Sequence, residues 1–291
     1  MAERTVPASV RFLAGIWAAV LVIVIAMAGT WLVRSPGVNE PIEVVWPSEA
    51  ELRAVGKTKV FFGHQSVGTN ILDGVGRMYA GASLPAPVFA DFSAVGEAEG
   101  ATFIHAHLGV NGDPRSKFAA FADVMDGPAA RDVDVALMKL CYADITAASD
   151  VRAVFDAYVS TMAEVEEAHP DVRFLYTTAP LTADRNWESK IKAALGHDDG
   201  MGPADNVARE RYNALIREKY ASTGRLVDIA AVESAGTEER SQDGNVYYVL
   251  NENLTFDRGH LNEAGSEAVA AELLTMVAAN SSVARDHDDG R

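Results

Sequence analysis

The feature that most constrains the fold is a regular alternation of short apolar segments with longer amphipathic ones after residue 57. The short segments predict strands at Lys59–Gly63, Pro87–Phe92, Thr102–Leu108, Val133–Leu140, Arg173–Thr178 and Arg225–Ile229. The longer segments predict helices at Thr69–Tyr79, Ser116–Met125, Asp150–His169, Ala204–Ala221 and Glu263–Ala279. Apolar strands joined by helices are typical of a parallel sheet that is covered on both faces. The pattern therefore predicts an α/β fold, in which functional sites form at the carboxyl ends of the strands.

An uncharged run of 22 residues, Phe12–Val33, precedes this region. As a helix the run would be ~33 Å long, which is enough for the ~30 Å hydrocarbon layer of a bilayer. Arg4 and Arg11 lie before the run and mainly acidic residues follow it, so the positive-inside rule places the main domain outside the cytoplasm. Residues 1–34 are thus predicted to form a membrane anchor. Cleavage at the small-x-small sequence Ala26–Ala28 is the alternative, and it would release a secreted domain.

Composition indicates how the rest of the chain is organised and which classes of partner are excluded. Residues 35–54 contain three prolines and predict an extended linker, residues 55–282 one main domain, and residues 283–291 a disordered tail. Asn186–Asn206 is a polar excursion within the domain. The net charge of −16 argues against a nucleic-acid partner. Cys141 is the only cysteine, which excludes an intrachain disulfide and a cysteine-based metal cluster.

A serine stands just after the first predicted strand, in the stretch GHQSVG at residues 63–68. The start of a helix offers free backbone N–H groups, which stabilise the oxyanion formed during acyl transfer. Ser66 therefore suits a nucleophile, with helix capping as the structural alternative. The adjacent His64 and Gln65 are candidates for lining the same site.

A second stretch, FDRGHLNEAG at residues 256–265, places Asp257 and His260 before the last predicted helix. A serine hydroxyl needs a base to act as a nucleophile. Histidine has a suitable pKa, and a carboxylate on its other ring nitrogen fixes the tautomer. The spacing alone leaves open whether Asp257 serves His260 or caps the helix. A third stretch, HLGVNGD at residues 107–113, predicts a glycine-rich turn that presents further backbone N–H groups.

Together the three stretches resemble the SGNH (GDSL-like) hydrolase superfamily over roughly residues 57–279. The match is close at residues 257–265, and residues 109–113 are similar to the family pattern G-[IV]-x-G-D. The resemblance implies a flavodoxin-like three-layer α/β/α sandwich. It also implies a triad of Ser66, Asp257 and His260, with the backbone N–H groups of Ser66 and Gly112 as oxyanion donors.

Two stretches depart from the family pattern. GHQS has one more residue between glycine and serine than G-D-S has. The family's G-x-N-D falls on residues 141–144, so Ala143 replaces the oxyanion asparagine, a type of loss that typically costs ~10²–10³ in rate. Asn111 or Lys139 would then supply the missing donor. Tyr142 and Asp144 are candidates for contacting substrate.

The resemblance implies a serine ester hydrolase that needs no cofactor or metal. Its expected substrate is a small acyl ester, such as an acetyl group on an extracytoplasmic carbohydrate. An O-acyltransferase would use the same acyl-enzyme. A metal-dependent hydrolase is a second alternative, because His105 and His107 alternate along a strand and face the same side. Four further residues could join them, namely Asp113, His64, Asp257 and His260. A non-catalytic carbohydrate-binding domain is a third, motivated by Ala143.

Overall fold

Six parallel strands form one sheet in the described part of the chain. They are β1 (Val60–His64), β2 (Phe89–Asp91), β3 (Phe103–His107), β4 (Val135–Met138), β5 (Arg173–Thr177) and β6 (Leu226–Val227), in the order β2-β3-β1-β4-β5-β6. The computed structural model describes residues 39–92, 102–127 and 132–281, together with the isolated positions 17, 20, 22, 29 and 37. All six predicted strands are present, each within a few residues of its predicted bounds.

The described helices are α1 (Glu49–Val55), α2 (Ser66–Gly81), α3 (Pro114–Met125), α4 (Val151–Ala168), α5 (Trp187–Ala194), α6 (Pro203–Tyr220), α7 (Ile229–Ser234) and α8 (Glu263–Ala279). A short antiparallel hairpin joins β7 (Arg240–Gln242) to β8 (Asn245–Tyr247). The chain divides into two units: residues Val38–Asp184 with Asp199–Arg291, and residues Met1–Gly37 with Arg185–Asp198. The sheet lies in the first unit and α5 lies in the second.

Successive strand residues point into two separate cores. Val60 and Phe62 of β1 pack into the core that α1, α2, α7 and α8 cover, whereas Phe61 packs into the core under α3, α4 and α6. This alternation follows from the two-residue period of a strand. Because both faces are buried, the strands read as continuous apolar runs in the sequence. The predicted three-layer α/β/α sandwich with a parallel sheet is confirmed.

The strand order creates a crevice at the carboxyl end of β1. β3 and β4 pair with β1 on opposite sides, so the chain changes direction across β1 between them. Ligands of open α/β sheets bind at such a switch point. The loops after β1, β3 and β4 carry Ser66, Asn111 and Asp144 respectively, so the topology brings the predicted motifs to one edge.

Three helices, α1, α5 and α7, lie where the sequence predicts none. α1 occupies the end of the predicted linker, where Ser48 and Glu51 form a capping box and Leu52 and Val55 are buried. Seven residues are too few for a clear helical period, and packing on the core stabilises the helix instead. α5 lies within the polar excursion 186–206.

The predicted anchor, Phe12–Val33, lies outside the described residues except for four isolated positions. Within the part of the chain that is described, no helix combines the length and the apolar character needed to cross a bilayer. The anchor, its cleavage and the disordered tail at 283–291 therefore stay predictions.

Candidate active site

Ser66 is the first residue of α2 and its side chain is exposed. The turn before it is held by Gln65, whose side-chain Nε2 donates to the carbonyl oxygens of Leu108 at 2.7 Å and Gly109 at 3.1 Å. Gln65 thus ties the turn after β1 to the turn after β3. The first N–H groups of α2 have no acceptor inside the helix and point toward the same edge of the sheet as Ser66. A nucleophile and backbone donors therefore meet at one point.

His260 lies between Asp257 and Ser66. Its Nδ1 is 2.6 Å from Asp257 Oδ2, and its Nε2 is 2.9 Å from Ser66 Oγ. Both distances are within hydrogen-bond reach, so the geometry suits an imidazole that accepts the serine proton on one nitrogen and donates to the carboxylate from the other. The three residues named from the sequence motifs are brought together across 194 positions of chain.

The loop that carries the pair is built around the Asp257 carboxylate. Its Oδ1 accepts from the backbone N–H of Gly259 at 3.0 Å and of His260 at 2.7 Å, and the intervening Arg258 adopts a left-handed backbone with φ of 80°. Burial raises the pKa of Asp257, but the hydrogen bonds from His260 and Gly259 outweigh it, so the pKa lies below its usual value. Asp257 is therefore ionised at neutral pH.

Asp144 is buried, and both of its oxygens are engaged. Oδ2 accepts from Lys117 Nζ at 2.5 Å and from the backbone N–H of Cys141 at 2.6 Å, and Oδ1 accepts from the backbone N–H of Gly112 at 2.8 Å. Two predictions are revised by this. Asp144 braces the two loops from inside rather than presenting itself to substrate, and the Gly112 N–H already has an acceptor.

Asn111 is oriented by the same buried lysine. Lys117 Nζ donates to Asn111 Oδ1 at 2.8 Å, and because lysine has donors only, the amide oxygen must face it. The amide nitrogen then points away and has no hydrogen-bond partner among the described residues. Asn111 is exposed, unlike Lys139, which is 1% exposed and donates to the carbonyl of Leu140. Of the two proposed substitutes for the missing asparagine, only Asn111 is accessible.

His64 is 1% exposed and supports the site from below rather than lining it. Its Nδ1 donates to the carbonyl of Gln65 at 2.8 Å, which leaves Nε2 to accept from His105 Nδ1 at 3.2 Å. Burial lowers the pKa of His64 to about 3, so its ring is neutral. His107 packs edge-on against the same ring. Nowhere in residues 39–92, 102–127 or 132–281 are three His, Cys, Asp or Glu side chains arranged to hold a metal ion.

Two aromatic rings border His260. Tyr142 contacts it edge-on with ring centroids 6.0 Å apart, so Tyr142 lies beside the site, and its contact with substrate stays a prediction. Phe256 stacks on it at 6.0 Å and is 67% exposed. The sequence analysis missed Phe256, although it directly precedes Asp257.

Sequence reasoning also missed the buried polar residues behind the site. Arg209 is fully buried and donates through Nε to the carbonyl of Tyr142 at 2.9 Å, which fixes the loop after β4. Glu233 accepts from the backbone N–H of Leu181 at 2.6 Å, and burial raises its pKa to about 8. Charged residues within amphipathic helices normally face solvent, so nothing local marked these positions.

No family model and no curated protein matches the chain. Solved structures do resemble it. A lipase/acylhydrolase from Enterococcus faecalis is 12% identical with a TM-score of 0.46, covering 77% of this chain and 97% of that one. The periplasmic domain of a lipopolysaccharide acetyltransferase from Salmonella ser. Paratyphi A is 12% identical with a TM-score of 0.40, covering 75% and 83%. A structure described as a lipolytic protein of the G-D-S-L family from Desulfitobacterium hafniense is 10% identical with a TM-score of 0.38, covering 76% and 99%. The chemistry proposed next rests on the side chains of this chain.

Proposed function

We propose that this chain is a serine ester hydrolase with Ser66 as nucleophile. The observation that carries the proposal is the unbroken chain of hydrogen bonds from Asp257 through His260 to Ser66 Oγ, at 2.6 and 2.9 Å. An exposed serine at a helix start has no structural need for a histidine on its hydroxyl. A base held in one tautomer by an ionised carboxylate is what serine needs for attack at neutral pH.

The proposed reaction has two steps. His260 Nε2 takes the proton of Ser66 as Oγ attacks the ester carbonyl, and the imidazolium then protonates the departing alkoxide, which leaves as the alcohol. In the second step His260 takes a proton from water, the resulting hydroxide attacks the acyl-enzyme, and the proton returns to Ser66 Oγ as the carboxylic acid leaves. Asp257 stabilises the imidazolium in both steps and keeps its own charge throughout.

The oxyanion would be held by two donors of different origin. The backbone N–H of Ser66 lies at the positive end of α2. The second donor is the amide nitrogen of Asn111, which Lys117 turns outward. The Gly112 N–H remains a third candidate only if Asp144 releases it. Asn111 would thus replace the asparagine that Ala143 lacks, from a different loop.

The molecule that accepts the acyl group and the place where the protein acts are also proposals. Water and a sugar hydroxyl would use the same acyl-enzyme, so an O-acyltransferase differs from an esterase only in what attacks Ser66 in the second step. The expected acetyl ester on an extracytoplasmic carbohydrate rests on the motif resemblance and on the predicted anchor.

The decisive experiment is hydrolysis of p-nitrophenyl acetate by the full chain and by Ser66→Ala, each with and without EDTA. Ser241→Ala is the matched control, because Ser241 is an exposed serine in the β7–β8 hairpin. We expect turnover that survives EDTA, persists in the control and disappears in Ser66→Ala. A fluorophosphonate probe should add one label, lost only in Ser66→Ala. Turnover that EDTA abolishes would favour a metal-dependent hydrolase. Equal turnover in wild type and Ser66→Ala would overturn the proposal.

A further inference from the structure

A groove of about 560 Å³ runs along one flank of α2. Thr69, Asp73, Gly76 and Ala80 form its helical wall, and Phe89 of β2 contributes to the other side. Ligand pockets in proteins commonly have volumes of roughly 300–1,000 Å³. The groove is therefore large enough for a bound molecule, and its position relative to Ser66 indicates which part of a substrate it suits.

The helical wall of the groove begins at Thr69, about one turn after Ser66. Each residue turns an α-helix by about 100°, so positions 69, 73, 76 and 80 lie on one flank, within roughly 80° of position 66. Ser66 stands at the end of α2 nearest the carboxyl edge of the sheet. From there to Ala80 the helix rises about 21 Å. A molecule attached to Ser66 could therefore extend along this flank.

His260 approaches Ser66 from the other flank. Gly74 packs against α8, where an added Cβ would lie 2.3 Å from the carbonyl oxygen of Ser266. His260 precedes α8 by three positions and reaches Ser66 Oγ from that side. A Cβ added to Gly76, in contrast, would meet no atom within 4 Å. The base and the groove therefore lie on opposite flanks of α2.

This arrangement indicates on which flank of α2 the alcohol part and the acyl part of an ester would lie. The imidazolium of His260 protonates the departing alkoxide, so the alcohol must lie on the flank of α2 that faces His260. The carbonyl carbon stays bonded to Ser66 Oγ, and the acyl chain leaves it in the other direction, toward the groove. The geometry of proton transfer thus favours the acyl chain over the alcohol as the occupant.

The lining suits hydrocarbon. Leu72, Gly76, Ala80 and Phe89 present apolar surface. The one basic side chain, Arg77, is paired with Glu267 at 3.1 Å, so its charge is directed away toward α8. Burial lowers the pKa of His105, so this ring in the wall adds no charge at neutral pH. A sugar would require several hydrogen-bonding groups in the groove. The polar residues Thr69 and Asp73 stand at the exposed side of the wall.

We propose that this groove binds the acyl chain of the ester, and that the preferred acyl group is a hydrocarbon chain of several carbons rather than acetyl. The proposal rests on the serine esterase activity proposed above. It names the acyl group that the same site prefers, and it replaces the acetyl group that the motif resemblance led us to expect.

The test compares kcat/KM for p-nitrophenyl dodecanoate and p-nitrophenyl acetate in the full chain, Ser66→Ala, Gly76→Leu and Ala119→Leu. Gly76 lies about 15 Å along α2 from Ser66, a distance that a dodecanoyl chain spans and an octanoyl chain does not. Ala119 is an exposed alanine of α3 and serves as the matched control for adding a leucine to a helix. We expect the dodecanoate-to-acetate ratio to exceed one and to fall about tenfold or more in Gly76→Leu, the size of effect that a few methylene groups have in an apolar pocket. The ratio should be unchanged in Ala119→Leu.

The outcomes separate the two proposals. In one outcome Ser66→Ala loses activity on both esters but Gly76→Leu leaves the ratio of the two kcat/KM values unchanged. This outcome would support the proposed esterase activity and overturn the proposal that the groove binds the acyl chain. A wild-type preference for acetate would also overturn the groove. Absence of Ser66-dependent turnover on both esters would overturn the esterase and the groove with it. If thermal unfolding shows that Gly76→Leu does not fold, Ala80→Leu at the far end provides the second variant. It should impair hexadecanoate more than butyrate, because Ala80 lies about 21 Å along the helix from Ser66.

Discussion

Replacing Asn111 with aspartate tests whether the loop after β3 supplies an oxyanion donor. Asn111→Asp keeps an oxygen that accepts from Lys117 Nζ, now 2.8 Å away, but removes both amide N–H donors. Loss of one oxyanion donor costs about 10²–10³-fold in kcat, or about 2.7–4 kcal/mol of transition-state stabilisation. The added negative charge beside the developing oxyanion should place the loss at the upper end of this range.

Stability should hardly change in the same variant. Asn111 is exposed and its lysine contact is retained, so the unfolding free energy should stay within about 0.5 kcal/mol of wild type. The measurements are kcat and KM for p-nitrophenyl acetate, with a urea unfolding curve for each protein. Asn111→Ala is the uncharged control and should lose a similar factor in kcat. A fall in kcat at unchanged KM would identify an interaction that forms only in the transition state.

The variant Lys117→Met tests the orientation of the Asn111 side chain separately from its hydrogen-bond donation. Lys117 and Asp144 are almost completely buried, and removing one partner of such a pair costs about 3–5 kcal/mol of stability. This variant should therefore lose both stability and kcat, whereas Asn111→Asp should lose only kcat. If kcat of Asn111→Asp stays within about threefold of wild type, the reasoning is refuted, and the Gly112 N–H would have to leave Asp144 to serve the oxyanion.

Three further predictions concern the base, a buried acid and the helix pair. Asp257→Asn should lower kcat at pH 7 by about 10⁴-fold, because the amide no longer holds His260 in the right tautomer; a loss under tenfold would remove Asp257 from the triad. Glu233 has its pKa raised by burial to about 8, so the folded chain binds this proton more tightly, and stability is lost as pH rises from the ordinary carboxyl pKa through about 8. The urea midpoint of Glu233→Gln should match wild type near pH 5 and exceed it near pH 9; parallel midpoints would contradict this. Gly74→Ala should destabilise by about 1–3 kcal/mol in urea unfolding, because its Cβ would press on Ser266 of α8.

The sheet could be predicted from local pattern because each strand is buried on both faces. Phe61 and Phe62 point into different cores, and both positions must be apolar, so the strand is visible as an uninterrupted run. α1 could not be predicted in this way. Only two of its side chains, Leu52 and Val55, are buried, and they become informative only when α8 is already beside them.

The residues of the site can also be divided into those that a local sequence pattern identifies and those that it does not. Ser66, Asp257 and His260 could be named from their motifs, because each motif combines a turn with a residue type that the chemistry needs. Asp257 contacts His260 within one loop, but His260 reaches Ser66 only because the loop after β8 approaches the start of α2, and no local pattern records that approach.

By itself the sequence determined the order of the six sheet strands and of the five longest helices, the α/β class and the three residues proposed for the triad, since these follow from side-chain period and residue chemistry within short stretches. The tertiary structure decided what each remaining polar group does. It buried Asp144 and Lys139, gave the Gly112 N–H an acceptor, turned the Asn111 amide outward and opened a groove at Gly76. These outcomes depend on which loops and helices meet at the edge of the sheet, and hydrogen bonds and steric contacts fall off within a few ångströms, so they exist only after the chain has folded.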